Sequence, residues 1–128
     1  MAEKILLIED DPFFAVLTAK MLAPAIVRIA RNGIEGLEYL QRERFDLVIT
    51  DIVMPEKDGI STIIDLRKTD ATIPVLAISG GGNIGTQGDL LRMAKQLGAT
   101  ETLAKPFGRE ELMAKVRLCL PARESASD

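Results

Sequence analysis

The chain has 128 residues, 47% of them hydrophobic and 27% charged, with a formal net charge of −3 at pH 7. That length suits one domain around one core, and the absence of a broad basic balance argues against direct nucleic-acid binding. There is no histidine and a single cysteine, which excludes a serine–histidine pair, a histidine-ligated metal and an internal disulfide in this chain. Cys119 reads as a small buried residue on the last helix. No apolar run approaches the roughly 18 residues needed to cross a bilayer, and the first residues carry no leader-like apolar segment, so the expectation is a cytoplasmic protein without membrane insertion.

In chain order, Lys4 to Ile8 reads as a short apolar strand that stops at Glu9-Asp10-Asp11. Pro12 suits the first turn of a helix with Asp11 as N-cap, and the helix is predicted to run to about Leu22, ahead of Pro24. On it Phe14, Leu17, Thr18 and Met21 recur at helical spacing and are expected to face the sheet, leaving Phe13 and Val16 on another side. Ile26 to Ala30 is a second strand, Asn32-Gly33 a break, and Ile34 to Arg42 a second helix.

Leu47 to Ile49 is a β-branched and apolar run of the kind buried on both faces of a parallel sheet. It ends in Thr50-Asp51, and after Pro55 a helix is predicted from about Asp58 to Lys68. Ile73 to Ile78 is the fourth strand, entered through Pro74; Ser79 and three glycines, Gly80 to Gly82, follow it. A helix from about Gly85 to Leu97 ends at Gly98, a C-cap glycine. Ala99 to Ala104 is a weaker fifth strand before Lys105-Pro106-Phe107, and Arg109 to Leu120 is the last helix, closed by Pro121. Residues 122–128 read as a frayed tail after a domain spanning 1–121.

Five alternations of strand and helix imply an α/β, doubly wound, five-stranded parallel sheet with helices on both faces. In such sheets ligands bind at the carboxyl ends of the strands. Acids end the first and third strands and a lysine follows the fifth. If the first and third strands are neighbours, about 4.8 Å apart, Glu9, Asp10 and Asp51 converge. Three carboxylates that close repel one another and call for a cation; a hard divalent ion such as Mg²⁺ suits oxygen ligands.

Ile8-Glu9-Asp10-Asp11-Pro12, Asp51 with Met54-Pro55 and Gly59, Ser79, and Lys105-Pro106-Phe107 together resemble the receiver domain of two-component response regulators, over the span from Lys4 to Leu120. The resemblance implies the flavodoxin-like strand order 2-1-3-4-5. It implies that Asp51 takes a phosphoryl group from a histidine kinase or histidine phosphotransfer protein. It also implies that Asp10, Asp51 and the carbonyl of Val53 bind Mg²⁺ directly, with Glu9 acting through water. Lys105 would pair with the phosphoryl group, and Ser79 would move to hydrogen-bond it. The output would pass through a downstream protein target; too few residues follow Leu120 for an output domain, so a stand-alone receiver is expected.

The sequence departs from the family at Thr102, where receivers usually carry an aromatic residue that swings inward with the hydroxyl residue. The Ser79–Thr102 switch is therefore altered, and the Gly80 to Gly82 run is the alternative place for a conformational response. Phe13 and Val16, with Pro106 and Phe107, form the expected docking patch for a kinase or phosphotransfer partner. Two other readings remain at this point: a pseudo-receiver that acts by constitutive binding, and a nucleotide-binding α/β protein. The second rests on Gly80-Gly81-Gly82-Asn83-Ile84-Gly85, which matches a dinucleotide fingerprint but follows the fourth strand rather than the first.

Overall fold

The apolar runs form five parallel strands in the order β2-β1-β3-β4-β5. The computed structural model of the chain describes residues 3–52, 59–80 and 84–121, with the backbone alone for 84–90. The elements are β1 (Lys4–Ile8), α1 (Pro12–Met21), β2 (Ile26–Ala30), α2 (Gly33–Arg42), β3 (Leu47–Asp51), α3 (Gly59–Thr69), β4 (Val75–Ser79), α4 (Ile84–Leu97), β5 (Glu101–Ala104) and α5 (Arg109–Cys119). The tail after Pro121 lies outside the described residues.

Alternation along the strands divides the core in two. Leu6, Ile8, Val48, Val75 and Ala77 pack under Ile63 and Leu66 of α3 and Ala94 of α4. Ile5, Leu7, Leu47, Ile49, Leu76 and Ile78 pack under Ala15 of α1 and Leu112, Val116 and Cys119 of α5. β3 and β4 are buried at every position, the pattern expected of central strands covered on both faces. Because their ends are aligned, with Ile8 opposite Thr50 and Asp51 opposite Ile78, the residues that follow β1 emerge beside those that end β3.

Two sequence expectations are corrected here. In α1, Thr18 is buried as expected and Met21 packs against the core, but the other buried positions are Ala15 and, just past the helix, Leu22. Leu17 is 41% exposed, and Phe14 and Met21 are half-buried. The short side chain of Ala15 faces the sheet, so the inward stripe lies one position from where the larger apolar residues suggest. β4 starts at Val75 rather than Ile73: Ile73 N–H is held by the Asp70 carboxylate at 3.1 Å, and Pro74 contributes only its carbonyl, to Val48 N–H at 3.0 Å.

Gly98 closes α4 with φ +129, a conformation that L side chains rarely adopt. Arg67, from the last turn of α3, ties that turn down. Its guanidinium donates to the Gly98 carbonyl from Nε at 3.1 Å and Nη2 at 2.7 Å, and from Nη1 to the Ile73 carbonyl at 2.7 Å. Arg67→Ala strands these acceptors and is expected to cost about 2 kcal/mol. Arg67→Lys should recover only part of it, because an ammonium lacks the planar fork. Urea midpoints of the three proteins check this; equal midpoints for wild type and alanine variant would show that the latch contributes nothing.

Candidate phosphoacceptor site

The site lies where β1, β3 and β5 end. Asp51, the last residue of β3, is 7% exposed and Glu9, just beyond β1, is 3% exposed. Carboxylate oxygens of Glu9, Asp10 and Asp51 lie within 4.8 Å of one another, as the sequence predicts from the strand order. The Lys105 ammonium enters from β5, 3.2 Å from Asp51 Oδ2 and 3.3 Å from Glu9 Oε1.

Local structure fixes each of these groups. Glu9 N–H donates to the Ala30 carbonyl at 2.9 Å, and Glu9 Oε2 accepts from Asp11 N–H at 3.1 Å. Asp11 caps α1 as the sequence predicts, its carboxylate accepting from Phe13 N–H at 3.0 Å and Phe14 N–H at 3.3 Å. Ile52 N–H donates to Ile78 O and Gly59 N–H to Ile52 O, both at 2.8 Å, tying Ile52 to β4 and the start of α3 to Ile52. Lys105 N–H donates to Ser79 O at 2.9 Å, and the Lys105–Pro106 peptide is cis.

Charge follows from this burial. Desolvation, and then the neighbouring Asp51 carboxylate, push Glu9 from its ordinary 4.5 up to about 7, against the pull of the Asp11 N–H and Lys105. Burial works against the Lys105 ammonium too, but the charges of Asp51 and Glu9 outweigh it and hold its pKa above the ordinary value. A carboxyl raised on folding keeps a proton that the unfolded chain has lost, so between pH 4.5 and about 7 the folded state binds more protons. Stability in metal-free buffer should therefore fall as pH rises through that window. Urea titrations at several pH values test this, with Glu9→Gln as comparison. The variant's profile should be flatter there, and an unchanged slope would assign the pH dependence elsewhere.

The remaining predicted residues fall into place less evenly. Ser79 is fully buried at the end of β4, opposite Ala104. Thr102 is half-buried on β5 opposite Ala77, which packs in the core layer beneath α3 and α4. Phe13 is 74% and Val16 49% exposed on α1. Pro106 is exposed, whereas Phe107 is half-buried and meets Phe14 with ring centroids 5.7 Å apart and planes at 80°. Val53 lies outside the described residues, as do Gly81, Gly82 and Asn83 of the glycine-rich run.

Sequence reasoning missed two contributors. Phe14, assigned to the core face, lies under the Lys105 ammonium, which is 4.1 Å from its ring centroid. Gly80, read as loop, has no room for a side chain: a Cβ there would fall 2.6 Å from Lys105 Cγ and closer to its Cβ. The spacing of the glycines carries no trace of this contact, because it depends on the approach of the β5 end to the β4 end.

A parallel five-stranded sheet with three acids and a lysine at its carboxyl edge defines a class of α/β protein built to hold charge there. Comparison with known proteins makes the assignment specific. The family model described as response regulator receiver domain matches residues 5–117. The probable C4-dicarboxylate response regulator DctR of Bacillus subtilis is 34% identical over 113 residues, covering 85% of this chain and 48% of its own length. Sporulation initiation phosphotransferase F, also of Bacillus subtilis, is 30% identical over 127 residues, covering 98% of this chain and 99% of its own. Among solved structures, chemotaxis protein CheY4 of Vibrio cholerae superposes with a TM-score of 0.82 at 27% identity, covering 94% of this chain and 100% of that one.

The chain belongs to the response regulator receiver domain family of two-component systems. It spans about half the length of DctR and of the CpxR homolog of Haemophilus influenzae (48% and 52%). Among the described residues, no helix is long and apolar enough to cross a membrane.

Proposed function

We propose that this receiver accepts a phosphoryl group on Asp51 from the phosphohistidine of a histidine kinase or histidine phosphotransfer protein, and signals by protein contact. The observation that carries this is the Lys105 ammonium, 3.2 Å from Asp51 and 3.3 Å from Glu9 at the edge of an acidic cluster. In the transfer an O–P bond forms at an Asp51 oxygen as the N–P bond of the donor imidazole breaks, the nitrogen keeping the bonding pair. Phosphoryl transfer asks a protein mainly for position and charge. Asp51 is a carboxylate nucleophile fixed at a strand end, and Lys105 offsets negative charge on the incoming oxygens.

The donor set fits Mg²⁺, since carboxylate oxygens of Glu9, Asp10 and Asp51 lie close enough to serve one ion. Asp10 and Asp51 would bind it directly, with the Val53 carbonyl, and Glu9 through water. When bound, the ion supplies further positive charge against the phosphoryl oxygens. Ser79, at the end of β4, is the hydroxyl that would meet the phosphoryl group. Gly80 packs against the Lys105 stem, which accounts for a glycine at the head of the dinucleotide-like run without a nucleotide.

Exposed Phe13 and Val16 on α1, with Pro106 and Phe107 beyond β5, are the proposed docking surface. The similarity to sporulation initiation phosphotransferase F favours a relay between proteins. Incubation with phosphoramidate, with and without Mg²⁺, followed by intact-mass measurement, tests the reading. A phosphoryl adduct that needs Mg²⁺ is expected. A folded, Mg²⁺-binding protein that takes no phosphoryl group from phosphoramidate or from a phosphohistidine donor would overturn it.

A further inference from the structure

Lys105 reaches two carboxylates at once, and its ammonium could reach either alone by a change of side-chain torsion. What sets its position is not obvious from the acids. A lysine stem has four rotatable bonds, and ordering it costs entropy unless other contacts define its path. Here three contacts do so. The stem lies against Gly80, where a Cβ would collide with it. The ammonium donates to Glu9 and Asp51. Its remaining side is covered by the ring of Phe14, 4.1 Å from the centroid.

That distance is shorter than those of Lys4 over Phe45 and Arg28 over Tyr39, both 5.1 Å. The Lys105 side chain is only 21% exposed, so the attraction between cation and ring face is not fully screened by water. Phe14 is itself held on two sides. Its N–H is bound by the Asp11 carboxylate at 3.3 Å, and its ring meets Phe107 with the planes at 80°, a favourable arrangement of aromatic quadrupoles. The contacts close on themselves. Glu9 accepts from Asp11, Asp11 accepts from Phe14, and Phe14 seats Lys105, which donates back to Glu9.

We propose that Phe14 is a positioning residue, its ring face forming the seat that holds the Lys105 ammonium between Glu9 and Asp51. Its effect on chemistry rests on the reading of Asp51 as phosphoacceptor; the seat itself does not. Two measurements separate them. Protons above a ring face are shielded, so in NMR spectra the Lys105 ε-methylene signals should lie upfield of ordinary lysine positions. They should return there in Phe14→Leu, which keeps apolar bulk without a π face, and stay upfield in Phe14→Tyr.

In the second, Phe14→Leu should slow Mg²⁺-dependent adduct formation from phosphoramidate by roughly three- to tenfold, the range a partly desolvated cation–ring contact supports. Phe14→Tyr should restore the rate, which a merely space-filling role would not require. Lys105 signals at ordinary positions in the wild-type protein, a measurement that needs no variant, would overturn the proposal. So would a Leu variant that reacts at the wild-type rate. If the wild-type protein takes no phosphoryl group while the Lys105 shifts behave as expected, the seat stands and the phosphoacceptor reading falls.

Discussion

Asp51→Asn is expected to leave the fold intact and to abolish phosphoryl uptake. The two side chains match in size and shape, and Asp51 closes a central strand, paired with β1 through Thr50 and with β4 through Asp51 itself. An amide nitrogen or oxygen is no nucleophile toward phosphorus at neutral pH, so the loss should be complete rather than partial. A second, independent consequence follows from electrostatics. The Asp51 charge is the next largest cause, after burial, of the raised Glu9 pKa. Its removal should bring Glu9 down toward its ordinary range and reduce the fall in stability with rising pH. Circular dichroism, urea titration across pH and intact mass address fold, titration and chemistry in one set of samples. An adduct at the wild-type level in the Asn variant would place the acceptor elsewhere.

Gly59→Ala should be the most damaging small substitution to the scaffold around the site. A Cβ at Gly59 would sit 2.7 Å from Ile52 Cα and closer to the Asp51 carbonyl oxygen. These are backbone atoms of the β3 end, which cannot rotate away as a side chain would. Either α3 moves off the sheet, giving up the packing of Ile63 and Leu66, or the end of β3 shifts and carries Asp51 with it. Overpacking of this kind costs typically about 1–3 kcal/mol, and the backbone clash here places Gly59→Ala toward the upper end. The urea midpoint of Gly59→Ala should fall markedly, and any folded fraction should take up phosphoryl groups more slowly than wild type. A variant with both wild-type stability and wild-type uptake would contradict this placement of Gly59.

Much of this organisation is legible in the residues because central parallel strands are buried on both faces, so they appear as continuous apolar runs with polar residues only at their ends. That is why Glu9 and Asp51 stand out, whereas Lys105 follows the less buried edge strand β5; their convergence needs only the strand order, which the family resemblance supplies. The faces of α1 are less legible. Burial there follows the close approach of small Ala15 to the sheet, and the larger Leu17 points out to solvent. The contact of Phe14 with Lys105 is not legible at all. It joins the first helix to the end of the last strand, and no local pattern encodes that distance. Thr102 is legible as a departure from the family resemblance, and it stands on β5 opposite Ala77.

The most direct test of the central claim is to find which residue carries the phosphoryl group. Protein treated with phosphoramidate and Mg²⁺ can be reduced with borohydride, which converts an aspartyl phosphate to homoserine, and then mapped by peptide mass spectrometry. The arrangement of Lys105 beside Asp51 predicts homoserine at position 51, and none in the sample treated without Mg²⁺. Homoserine at position 10 with Asp51 unaltered would contradict the account, since Asp10 would then be the acceptor and not a ligand.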